Sequence, residues 1–313
     1  MDPILKALLL SWDLRVEVLA ILTTLGVVHI IGWRNLRRRG RIRFANSWRL
    51  ASYLVGLLLL AIAVMSPIDV LSDQLFFMHM IQHLLMMMFA APLLMLANPF
   101  PTFLWALPRD LRVRVGGWFQ AGHPLYRTLA QILTPGITWM IFISVYLGWH
   151  DPNLYDLALR NDFIHDVEHV TFFGVALLFW WRITGAGPQI GKRLPNLMRA
   201  AYAVSLVPPN MLAGVAITFA SSPIYSHYTT IPRLYGVSVM DDQTWSGLIM
   251  WIPGSMMYIL AALFLIGIQM NQAKKRSARE AALATEARGV GADLAHRQQA
   301  QWRHTHKLSS TEA

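Results

Sequence analysis

The chain has 313 residues, 55% of them hydrophobic and 14% charged, with a formal net charge of +10 and no cysteine; its mean hydropathy is +0.41. That balance excludes both an ordinary soluble domain and a disordered chain. Without cysteine there are no disulfides and no thiolate ligands, so any metal must be held by histidine, methionine or carboxylate.

In chain order, the apolar residues gather into runs rather than alternating, which predicts an all-α, multi-pass bundle of seven transmembrane helices. The runs cover roughly 14–32, 49–66, 77–97, 132–149, 163–182, 199–220 and 245–269, each near the ~20 residues that cross a bilayer core. A β-barrel would show short alternating segments instead. The first run reads as a retained helix and not a signal peptide, because its basic cluster follows the apolar stretch and Asp13 and Glu17 precede or enter it. Residues 98–131 carry Pro99, Pro101, Pro108 and Pro124, with Trp105, Trp118 and Phe119 among arginines. This mixture predicts a segment lying along the headgroups. In the sixth run, Pro208-Pro209-Asn210 should break the helix near its middle.

Residues 1–270 are predicted to form the membrane domain and 271–313 a basic cytoplasmic tail, helical to about Leu294 and disordered from Gln298. The tail either rests on the inner leaflet or is simply solvated. Its dispersed His296, His304 and His306 read as non-ligands.

Short cytoplasmic loops are enriched in arginine and lysine. Arg34, Arg37, Arg38, Arg39, Arg41 and Arg43 follow the first run, Arg109, Arg112, Arg114 and Arg127 the third, Lys192 and Arg193 the fifth, and Lys274, Lys275 and Arg276 the seventh. The alternate loops hold Asp69 and Asp73, then Asp151, Asp156 and Asp162, then Asp241 and Asp242, with only Arg160 and Arg233 against them. The N-terminus is therefore expected outside and the C-terminus in the cytoplasm. The net charge reads as topology and contact with anionic lipid, with no nucleic acid involved.

With this orientation the histidines can be placed in depth. His79 and His83 open the third run, His165 and His169 open the fifth, His150 closes the fourth, and Asp242 and Gln243 open the seventh, with Met250 deeper. All fall near the outer surface, although the orientation used only basic residues. Each histidine pair is spaced i, i+4, so both imidazoles leave one helix face and can share an ion. The expected ligands are His79, His83, His150, His165, His169 and Asp242. Asp166, Glu168 and Gln243 would be further ligands or acceptors that fix the histidine tautomers. Methionines crowd the third and seventh runs, and imidazole with thioether suits copper, Cu(I) in particular, with zinc the alternative. Met78, Met80, Met240 and Met250 lie near the histidine layer, and the other methionines read as packing. His29, at the cytoplasmic end of the first run, reads as structural, and His123 and His227 read as polar groups at the headgroups.

His79-Met80-Ile81-Gln82-His83, Trp149-His150-Asp151-Pro152-Asn153-Leu154-Tyr155, His165-Asp166-Val167-Glu168-His169 and Asp242-Gln243 with Gly247 and Met250-Trp251 occur in this order. Together they resemble the polytopic CtaG family of cytochrome c oxidase assembly factors over roughly residues 50–270. The resemblance implies a non-enzymatic factor of the bacterial plasma membrane. Its expected work is to help insert copper into a haem–copper oxidase, with the oxidase subunits and an outer-face copper donor as partners. His165-x-x-Glu168-His169 also fits the H-x-x-E-H spelling of zinc peptidases, though the outer loops are too short for a catalytic domain. A bis-histidine haem protein and a copper permease are further alternatives.

Overall fold

The computed structural model describes residues 11–233 and 235–309. It is helical throughout, with no strand among the described residues. The chain divides into two units, Met1–Ala262 and Leu263–Ala313. Among the described residues, six helices are long and apolar enough to cross a membrane, or up to seven if one bent pair is a single span. We label the long helices α1 (Val16–Arg38), α2 (Ser47–Met65), α3 (Phe76–Leu96), α4 (Pro135–Trp149), α5 (Asp162–Thr184), α6 (Asn196–Thr218) and α7 (Val239–Ser309).

The expected fourth span is the bent one. α4 has only 15 residues, and it passes as a span only together with Pro124–Ile132, from which it turns by 61°. The cause is Pro135, which lacks an N–H and cannot continue the preceding helix; Thr134 caps the new start by accepting from Ile137 N. The predicted break in α6 is present: a helix over Asn196–Val204 ends and another begins at Val207, with prolines in its first turn.

α3 widens into a π-helix over Leu85–Ala90. In that register Ala91 N reaches Met86 O, and the next carbonyl, Met87 O, would need an N–H from residue 92, which is proline. The indole of Trp180 on α5 donates to Met87 O instead, at 2.7 Å. Pro253 inside α7 similarly disturbs its ladder. There Asn210 Nδ2 on α6 donates to Met250 O and to Ser255 Oγ, both at 2.9 Å, while Tyr146 on α4 donates to Asn210 Oδ1 at 2.6 Å. α6 and α7 meet through glycines: a Cβ on Gly214 would lie 2.7 Å from Trp251 Cβ and 2.9 Å from Gly247 O, too close to fit.

The long basic connection folds into Pro99–Ala106, Arg109–Trp118 and Pro124–Ile132. Its first helix packs on α1 instead of lying apart, with Thr102 buried against Gly32. α7 continues to Ser309, beyond the boundary expected near Leu294 and into the segment expected to be disordered; residues 310–313 of that segment lie outside the described residues. Alanine, glutamine, arginine and leucine dominate Ala292–Ser309, and no proline or glycine interrupts it. The side chains of His296, His304 and His306 lie outside the described residues.

Candidate metal centre

The imidazoles are brought together by three helix ends. α5 starts at the Asn161 cap, whose Oδ1 accepts from Ile164 N at 3.2 Å, with Asp162 in the first turn. Its i, i+4 histidines then face inward, and α5 stops at Gly185, which takes the left-handed conformation at φ 64°. α3 has no cap of its own at Leu75. Asp242 of α7 supplies one, accepting from Phe76 N at 3.1 Å and Phe77 N at 2.9 Å, and is held by Arg233 Nη2 at 2.7 Å. α4 contributes His150 at its C-terminal end.

His79, His83, His165 and His169 form one cluster. Ring centroids lie 4.3 Å apart for His79–His83, 4.2 Å for His165–His169, 5.3 Å for His79–His165 and 5.4 Å for His83–His169. The Nε2 atoms of His79 and His83 are 3.0 Å apart. Two nitrogens bound to one tetrahedral ion would lie about 3.3 Å apart, given ligand distances of 2.0–2.1 Å. Glu168 Oε1 is 3.7 Å from both. Two sets of three ligand atoms lie within 4.8 Å of one another: His79, His83 and His169, and His79, His165 and Glu168.

Glu168 is fully buried, and neither carboxylate oxygen has a hydrogen-bond partner. Around it His79 Nδ1, His83 Nδ1, His165 Nε2 and His169 Nε2 are also buried without partners. An uncompensated buried carboxylate is costly, and the cost falls when a proton or cation joins it.

Other expected residues are engaged elsewhere. The Asp242 carboxylate is occupied by two backbone N–H groups and Arg233, so it positions α3. Asp166 faces Arg15 in a two-pronged ion pair at 2.6 and 2.7 Å, which raises the Arg15 pKa further. Gln243 accepts from Ile224 N at 2.8 Å and donates to Ser222 O. His150 Nδ1 lies 2.7 Å from Tyr146 O. Since a carbonyl only accepts, Nδ1 carries the proton and Nε2, buried and unpartnered, keeps its lone pair. Met80 and Met250 line a cavity beside His83 and His150, whereas Met78 and Met240 are half-buried and do not line it. His227 hydrogen-bonds Asp73 O, and His29 sits on Tyr53, away from the cluster.

Several neighbours of the cluster escaped sequence reasoning. Asp13, Arg15, Asp69, Asp73 and Asp162, with the expected His165 and Asp166, line a cavity of about 440 Å³. Burial pushes the Asp69 carboxyl up to about 7 and raises that of Asp73. Gln82 donates to Asp69 Oδ1 and to Ala63 O, tying α3 to the end of α2. Phe76, Tyr155, Tyr225 and Tyr228, all buried, pack over the cluster, with Tyr155 and His79 centroids 5.1 Å apart. The position of Gln82 between the paired histidines was the one available signal. The partners of Arg15 and Asp69 leave none.

The family model described as cytochrome c oxidase caa3 assembly factor matches residues 27–271. Uncharacterized proteins of Mycobacterium bovis and Mycobacterium tuberculosis are each 27% identical over 287 residues, covering 89% of this chain and 42% of theirs. One from Mycobacterium leprae is 26% identical over 268 residues, covering 82% of this chain and 39% of its own. The chain thus spans about two fifths of the length of these relatives. No solved structure matches it.

Proposed function

The chain belongs to the cytochrome c oxidase caa3 assembly factor family, and from that premise we propose that it binds copper as cargo among His79, His83, His165, His169 and Glu168. It passes the ion to a haem–copper oxidase at the outer face of a bacterial plasma membrane. The observation that carries this reading is the buried Glu168, with two unpartnered oxygens among four imidazoles that each keep an unpartnered nitrogen.

Charge supports Cu(I) over zinc. Asp166 is neutralised by Arg15 and Asp242 by Arg233, which leaves Glu168 as the carboxylate within the cluster. One monovalent ion with one carboxylate sums to zero in a medium where net charge is expensive, whereas a divalent ion leaves a positive remainder. Imidazole ligands suit either metal.

The alternation of arginine-rich and aspartate-rich connections supports seven spans with the N-terminus outside, counting Pro124–Ile132 and α4 as one. The cluster then faces the outer surface, where an outer-face donor supplies copper. The basic connections lie on the cytoplasmic side against anionic lipid. The work is binding and transfer, without substrate turnover.

Metal analysis of the purified full chain tests the site. His79→Ala with His169→Ala is expected to lose about one copper ion per chain and to leave an oxidase deficient in copper. Full copper content in that variant ends the assignment.

A further inference from the structure

A second group of donors lies beneath the imidazole cluster. Met80, Met87, Met88 and Met250 line one cavity of about 40 Å³ together with His83 and His150. All four methionines are buried, with exposures of 4%, 4%, 5% and 7%. The space holds about one water or one ion. Methionine commonly fills irregular gaps in apolar cores, and three facts separate this cavity from filler.

First, the cavity has two imidazoles in its wall. His150 keeps a buried, unpartnered lone pair at Nε2, because its Nδ1–H is committed to Tyr146 O. His83 is 6% exposed, and its Nδ1 is unpartnered although its Nε2 faces His79. Second, two of the methionines lie in an irregular turn and a third lies close to a helix-interrupting proline. Met87 and Met88 lie in the π-helical turn of α3, and Met250 lies one turn before Pro253 of α7. Such irregular turns are frequent at functional sites. Third, cross-links hold these irregular turns. Trp180 Nε1 donates to Met87 O and Asn210 Nδ2 to Met250 O. These bonds satisfy carbonyls near the prolines and also fix the backbone that carries the thioethers.

We infer that this cavity is a second binding site, for one soft monovalent ion, formed by the thioethers of Met80, Met87, Met88 and Met250 with His150, and joined to the upper cluster through His83. Thioether sulfur and neutral imidazole select Cu(I) over Zn(II), Mg(II) and Ca(II). Among the described residues no carboxylate lines this cavity, which again favours the lowest ionic charge. The inference extends the copper reading of the upper cluster but rests on different side chains. In transfer, the two sites would let an ion pass between donors through His83 without meeting bulk water.

The test is titration of the purified full chain in detergent with Cu(I), with Ag(I) as its redox-inert probe, and separately with Zn(II). About two soft ions per chain are expected, and about one zinc. X-ray absorption of the wild-type Cu(I) form should show sulfur as well as nitrogen neighbours. Met80→Leu with Met250→Leu, nearly volume-conserving, should sharply lower the sulfur contribution and remove about one ion, while zinc binding and helical content stay unchanged. Met256→Leu, at an exposed position, should change nothing. Failure of the upper cluster looks different: His79→Ala with His169→Ala loses zinc and the nitrogen-rich ion but keeps the sulfur-bound one. A wild-type Cu(I) spectrum without sulfur neighbours, or full Ag(I) stoichiometry in the Met80/Met250 double variant, overturns the second site.

Discussion

His29 and the four imidazoles around Glu168 share one bundle and are largely buried, yet they sit in opposite chemical situations. His29 is wholly buried and stacks on Tyr53 at 3.8 Å between ring centroids, with the Phe103 ring edge-to-face at 6.0 Å between centroids. Thr102 gives its hydroxyl hydrogen to Pro99 O, so its oxygen accepts from His29 Nδ1 at 2.9 Å. His29 Nε2 is left unpartnered among aromatic rings. One lone pair there costs some stability but gathers no second donor. Around Glu168, several lone pairs and a carboxylate share a volume small enough for one ion. An unsatisfied polar atom becomes a candidate site only when others converge on it.

Breaking the positioning of the cluster should have the largest effect. Asp242→Asn removes the ion pair with Arg233 and weakens the cap on Phe76 and Phe77, with an expected loss of about 3 kcal/mol because a buried charge loses its partner. Thermal unfolding would show it, together with reduced copper binding; an unchanged Tm would mean that α3 needs no such cap. Glu168→Gln keeps shape but removes the charge. Cu(I) affinity in a competition assay should fall roughly 10- to 100-fold, the range for loss of a supporting group at a metal site, and undiminished affinity would make the carboxylate irrelevant.

A smaller effect concerns Asp69. Its folded carboxyl is raised to about 7 by burial, so below the unfolded value near 4 its protonated form carries no penalty. Stability should fall as pH rises from about 4 through about 7, since the folded state holds the proton longer. Asp69→Asn should flatten that part of the Tm profile and stabilise the protein above pH 7. Parallel profiles for the two proteins would contradict this. His29→Phe should have the least effect on metal: copper content stays at the wild-type level, and a loss would show that the isolated ring communicates with the cluster.

Much of the candidate site was legible. The i, i+4 spacing placed His79 with His83 and His165 with His169 on common faces, and basic loops put both pairs at one end of the bundle. The roles of the carboxylates were not legible. Asp242 reaches backbone N–H groups 166 positions away, and Arg15 reaches Asp166 across 151. No local pattern encodes such pairings. The 61° bend before α4 illustrates the same limit, because Pro135 marks a break while only packing sets its angle.

The amino-acid sequence alone determined that this chain is a helical membrane protein and which imidazoles share a helix face. Both follow from hydropathy and from a helical period that acts over a few residues. Tertiary structure decided which acidic groups were already neutralised and which one, Glu168, stayed unpaired among the histidines. Charge compensation depends on distance in space, so it is settled only when helices from distant parts of the chain come together.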